Sequence, residues 1–235
     1  MIIQRLKHLI RNQPLIFQLF WKRQETPIYK RRVIRPTDDL VIEGFPRSAN
    51  TYATYALIEL HETKLDIANH FHSPAQFILA KKYQIPSLLL IRKPVDAAIS
   101  LSIYHQDNKL EKYLLAYIYF HKPLLKIQPS LLVKKFEDAT SDINSIAENL
   151  NERFNFKFNL NIDNDSISKK TIALIEKDRQ DRALKKNETS SSELRKTTPS
   201  VKKDQRKEEL ILESQKQKYI PMIEEANKLY EILTS

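Results

Sequence analysis

Short apolar runs alternate with longer stretches of three-and-four spacing between about residues 39 and 140. Asp39-Leu40-Val41-Ile42-Glu43 ends at Gly44, and after a turn SANTYATYALIELH has helical spacing. LDIANHF is a second short run. Ser73 and Pro74 follow it as an N-cap and first-turn proline, opening the helix PAQFILAKKY. SLLLIR reads as the most deeply buried strand, and Pro94 opens the next helix, VDAAISLSIYH. KLEKYLLAYIYFH predicts a further long helix, and SLLVKKF a fourth strand. Strands alternating with helices of this length predict an α/β, three-layer fold of the P-loop type, a central parallel sheet flanked by helices. No internal repeat is visible.

The two ends of the chain differ from this body. Ile2, Ile3, Leu6, Leu9 and Ile10, then Leu15, Ile16, Leu19 and Phe20, recur at helical spacing with Pro14 between the groups. An amphipathic helix broken at the proline is expected, packed on the domain or lying on a membrane surface. From about Glu176 to Glu209 the chain has 11 basic and 8 acidic residues, the run Thr189-Ser190-Ser191-Ser192 and almost no apolar periodicity. It reads as a mobile polar segment and a candidate lid. A single helix from about Asp204 to Leu233 is expected to close the chain.

Charge sharpens the division into residues 1–35, a basic arm, and 36–235, the domain. Of the net +10, residues 1–35 hold +8, from nine basic residues against Glu25. A basic end on a nearly neutral body points to an anionic surface rather than to nucleic acid, and the arm has no recognisable RNA-binding module. PLIFQLFW is far shorter than the roughly 20 apolar residues that cross a bilayer, and the N-terminus lacks a small-residue cleavage site. The expectation is a cytoplasmic chain with peripheral contact to anionic membrane through residues 1–35. The absence of cysteine removes disulfides, thiolate nucleophiles and cysteine-based zinc sites. Gly44 is the chain's single glycine, so a loop that needs close backbone approach to a ligand is expected to use it.

In an open parallel sheet, ligands bind beyond the carboxyl ends of the strands. Those turns read EGFPRSANT, HFHSP, IRKP and KFED, and three of them carry arginine or histidine. Residues 44–51 have the frame of a phosphate-binding loop, G-x-x-x-x-G-K-T, with Ala49 for the second glycine and Asn50 for the lysine. Backbone amides and a helix N-terminus can still cradle an oxyanion. A kinase or ATPase would have lost the cation that reaches the β/γ-phosphates. The positive charge has moved upstream to Arg47, which argues for phosphate binding without ATP hydrolysis.

P-R-S-A-N-T-Y at 46–52 resembles the 5′-phosphosulfate loop of sulfotransferases that use 3′-phosphoadenosine-5′-phosphosulfate (PAPS). I-R-K-P-V-D-A-A-I-S at 91–100 resembles their 3′-phosphate motif, F-H-S-P at 71–74 their base-bearing segment, and K-F-E-D at 135–138 the strand-end element that follows. The likeness is greatest to small bacterial sulfotransferase-like proteins. It implies a metal-independent transfer of a sulfuryl group from the co-substrate PAPS to a hydroxyl acceptor, a small molecule, carbohydrate or lipid. By position, Arg47 would contact the 5′-phosphate and the leaving oxygen. Ser48, Ala49, Asn50 and Thr51 would supply backbone and side-chain donors, and Tyr52 would stack on adenine. Arg92 and Ser100 would hold the 3′-phosphate. His72 would be the base, with His70 competing for that role or steadying the transferring group. The family's C-terminal R-K-G-x-x-G cannot exist here, and Arg195, Lys202, Lys203 and Arg206 are the candidates to replace it.

Plainer readings stand beside these. Asp96 is a first-turn acid favoured by the helix dipole. Glu137 and Asp138 are strand-end acids that could orient His72 or Arg47. Tyr113, Tyr117 and Phe120 read as core. The alternative function is a catalytically inactive relative that binds an anionic nucleotide or membrane surface.

Overall fold

The computed structural model describes residues 12–21, 32–186 and 201–235. Four apolar runs form one parallel sheet: β1 (Leu40–Gly44), β2 (Ile67–Asn69), β3 (Ser87–Ile91) and β4 (Leu132–Lys135), in spatial order β2-β1-β3-β4. Ile42 sits beside Asn69 on one side and Leu88 on the other, and Leu90 sits beside Lys134. Every residue of β1 and β3 is buried, as strands covered on both faces require.

Helices follow each strand. α1 (Pro14–Trp21) precedes the sheet, α2 (Asn50–Glu59) leaves β1, and α3 (Pro74–Tyr83) leaves β2. α4 (Pro94–His105) and α5 (Leu110–His121) connect β3 to β4 through a 3₁₀ stretch, Lys122–Ser130. Beyond β4 come α6 (Phe136–Ser141), α7 (Ile143–Phe154), α8 (Asn164–Lys186), α9 (Val201–Ser214) and α10 (Ile220–Thr234). Ser73 Oγ accepts from Ala75 N at 3.3 Å and Pro74 occupies the first turn, the start expected for α3.

One core joins Val41, Leu89 and Ile91 to Phe77, Ala98 and Tyr117 of the helices after β2 and β3. The other joins Leu40, Ile42, Leu88 and Leu90 to Ala53, Leu57, Ile146 and Leu150. The architecture is therefore the expected α/β three-layer one. α2 leaves β1 toward one face and α4 leaves β3 toward the other. The carboxyl ends of these neighbouring strands thus flank the switch point at which open sheets bind ligands.

Gly44 is needed for the sheet itself. A Cβ there would lie 2.2 Å from Leu90 O and 2.8 Å from Asn50 Oδ1. The close approach that already demands the chain's one glycine is to the β3 backbone and the loop's own side chain.

Both ends of the chain depart from expectation. Residues 176–186 complete α8, which Ile167 and Thr171 anchor by burial near its start. α9 begins at Val201, so of the expected mobile segment only residues 187–200 lie outside the described residues. The single closing helix is two, α9 and α10, separated by a 3₁₀ turn at Gln217–Tyr219. Pro221 in the first turn of α10 has no N–H to continue a helix through it. At the other end, Arg32 pairs with Asp38 and Asp66, and Val33 and Ile34 are buried, so these residues of the expected arm pack with the domain, as Phe17 of α1 does. Among the described residues no helix is long and apolar enough to cross a membrane.

Candidate active site

The loop from Gly44 to Thr51 is held by its own side chain. Asn50 Nδ2 reaches back to Phe45 O at 3.2 Å and Gly44 O at 3.4 Å, and Ser48 N donates to Phe45 O at 3.2 Å. Asn50 stands where a phosphate-binding loop has lysine, but its amide is spent inside the loop. Its side-chain N–H groups are thus engaged within the loop, while its backbone lies in the first turn of α2. Arg47 and Ala49 take positive φ, 74° and 65°, and Ala49 is the residue from which α2 starts. Such backbone is uncommon outside glycine and recurs where function constrains the chain. No side chain caps α2, so its first amides stay available to an anion. Ser48 Oγ is fully buried and has no hydrogen-bond partner among the described residues, an orphaned donor in the same loop.

Two guanidinium groups meet at this loop. Arg92, just past β3, donates from Nη1 to Arg47 O at 3.0 Å and stacks 4.1 Å over the Phe136 ring. The Arg92 carbonyl in turn accepts from Tyr117 Oη at 2.8 Å. Arg47 donates from Nε to Ser100 Oγ at 3.1 Å and lies 5.3 Å over Tyr104. Burial first, then the Arg92 charge, holds Arg47 below its ordinary pKa; burial does the same to Arg92, opposed by Asp96 and Glu137. Both remain cations at neutral pH. Among the described residues neither forms an ion pair with a carboxylate. Two partly buried guanidinium groups, neither in such a pair, form a candidate anion site, with Asp96 and Glu137 felt by Arg92 beyond ion-pair range.

The histidines reach the loop from the turn after β2. β2 ends at Asn69, and His70 and His72 both have positive φ, 62° and 49°. Glu43 builds this turn. Fully buried at the end of β1, it accepts from Phe71 N at 2.6 Å and from His72 N at 3.1 Å. Burial pushes the Glu43 carboxyl up to about 7, against the pull of those two amides. His72 Nδ1 lies 2.9 Å from Gly44 O and 3.6 Å from Glu43 Oε2. Facing a carbonyl, Nδ1 must carry the proton, so the lone pair of the neutral ring is on Nε2. His70 Nε2 pairs with Thr51 Oγ1 at 2.9 Å, and the two rings are 6.0 Å apart.

The tertiary structure thus brings together Arg47, Ser48, Ala49, Asn50, Thr51, His70, His72, Arg92 and Ser100. Tyr52 is half-buried and packs against the core on the α2 side. Arg206 is engaged by Glu209 and by Asn108 Oδ1. Arg195 and the Lys202 side chain lie outside the described residues. Asp138 caps α6, its Oδ2 accepting from Lys135 N at 2.9 Å. The acid beside His72 is therefore Glu43, not Asp138 or Glu137. Glu43, Tyr104 and Phe136 were not singled out by the sequence; Tyr117, read as core, is core and also bonds the Arg92 carbonyl. The one visible signal was a carboxylate placed inside the apolar run that becomes β1.

No family model matches this chain, and no curated protein matches it. Among solved structures it is similar to mouse sulfotransferase SULT7A1 complexed with PAP, at 11% identity and a TM-score of 0.42, over 87% of this chain and 91% of that one.

Proposed function

We propose that the chain transfers a sulfuryl group from PAPS to a hydroxyl acceptor, as the motifs at 46–52, 71–74 and 91–100 imply. The observation that carries the reading is the approach of Arg92 to Arg47 across the β1/β3 switch point, where among the described residues neither guanidinium is ion-paired to a carboxylate. A nucleotide with phosphate at both its 5′ and 3′ positions suits two such cations, the α2 amides and the buried Ser48 hydroxyl. PAPS, when bound, supplies the sulfuryl group, with its 5′-phosphate as leaving group. Arg47, Ser48 and the α2 N-terminus would hold the 5′ end and take up the charge that develops as the S–O bond to phosphate breaks. Arg92 would hold the 3′-phosphate. His72 Nε2 would accept the proton of the attacking hydroxyl, its ring oriented by Gly44 O and Glu43.

The test is transfer of labelled sulfate from PAPS to a panel of hydroxyl compounds, together with calorimetry of the product nucleotide. Transfer that disappears in Arg47→Ala supports the reading. Nucleotide binding without transfer to any acceptor would make the chain a non-catalytic binding protein, and absence of both would end the proposal.

A further inference from the structure

We infer that α1 is a docking helix for an anionic membrane surface, with Leu15 and Leu19 as its inserted side chains. Each is 76% exposed, more than any other large apolar side chain among the described residues. Four positions apart, they stand on one face. The sequence pattern placed them on an apolar stripe that faces either the domain or a membrane, and the residue that meets the domain is Phe17, which is fully covered and lies edge-on to Phe71 at 5.5 Å. Gln18 Nε2 donates to Tyr83 Oη at 2.8 Å, and Asn12 Nδ2 to Tyr119 O at 3.0 Å. The helix is therefore fastened to the domain with its leucines held outward.

Charge selects the partner. Arg11 precedes α1, Lys22 and Arg23 follow it, and residues 1–35 hold nine basic residues against one acid. Among these, Arg32 is engaged by Asp38 and Asp66 within the domain. Two leucines on an eight-residue helix fall short of the roughly 1,200–2,000 Å² of a stable protein interface. A bilayer accepts so small an insertion, because binding there sums apolar burial with attraction to anionic headgroups. The inference stands independently of the sulfuryl-transfer reading, although Phe71 places the docked helix one ring contact from the His72 turn.

The experiment is flotation of the full chain with vesicles of phosphatidylcholine alone or with about 30% phosphatidylserine, a fraction that sets a negative surface potential. The native chain should float with the anionic vesicles only, less so as salt rises, with a blue shift of its single tryptophan, Trp21. Leu15→Ser/Leu19→Ser keeps the charge and should lower binding at least about 10-fold, with an unchanged melting temperature. Three results would overturn the inference. They are no binding of the native chain, equal binding of the double variant, or a native dimer that the double variant dissolves.

Discussion

His72 donates its Nδ1 proton to the carbonyl oxygen of Gly44 across 2.9 Å, so the first residue of the anion loop sets the tautomer of the candidate base. The ring is further placed by Glu43, which accepts its backbone N–H at 3.1 Å. His70, held on Thr51 Oγ1, is tied to the loop by a different nitrogen and a different partner.

His72→Ala is accordingly expected to lower kcat by at least about 10², the usual worth of positioned proton transfer, with nucleotide affinity intact. His70→Ala should have the smaller effect. The measurement is turnover with a saturating acceptor. Near-native turnover of the His72 variant would move the role of base to His70.

Arg92→Ala should erase most of the preference for 3′-phosphoadenosine-5′-phosphate over AMP. Loss of one charge-assisted pair lowers affinity roughly 10- to 150-fold, while AMP binding should hardly change. Phe136→Leu removes the ring on which Arg92 stacks and should cost less. Calorimetric titration of both nucleotides decides it, and equal affinities in the native protein would refute the assignment.

Gly44→Ala is expected to destabilise the fold by at least about 2 kcal/mol, because overpacking against rigid backbone has no inexpensive relief. The clashing atom is Leu90 O, a main-chain atom of the neighbouring strand, at 2.2 Å. Urea denaturation measures the loss. A variant as stable as the native chain would mean that β1 and β3 can separate without cost.

Glu43 and His121 give opposing pH dependences. The Glu43 carboxyl, raised by burial to about 7, stabilises most below its unfolded pKa of about 4.5 and loses that contribution as pH rises toward 7. His121, buried and lowered to about 3, contributes fully above about 6.5 and loses that contribution as pH falls. Glu43→Gln removes the first effect and leaves the second. Its stability relative to the native chain should therefore improve by about 2 kcal/mol between pH 5 and pH 7.5. Denaturation at the two pH values measures this, and a difference independent of pH would show that Glu43 titrates normally.

Local pattern determined much of this protein. The four strands, the helices opening at Pro74 and Pro94, and the loop at 44–51 follow from apolar periodicity, proline and N-cap positions, all of which act over a few residues. The split between α9 and α10 was missed, although Pro221 marks it in the sequence. Other outcomes depended on contacts between distant segments. A charged stretch such as residues 176–186 gains helical structure because its start is pinned by Ile167 and Thr171 against α2. Leu15 and Leu19 faced outward because Phe17 found Phe71, and no helical wheel reveals which face of a short helix meets the domain. The site divides in the same way. Arg47, His72 and Arg92 stood out as charged residues at strand ends. Glu43, Tyr117 and Phe136 acquired their roles only when parallel pairing set β1 beside β3 and β3 beside β4, joining backbone and side chains far apart along the chain. Periodicity records which side of an element is apolar. Which strand end comes to lie beside which other is decided by the packing of whole elements, and that is where the two arginines and the histidine turn are assembled.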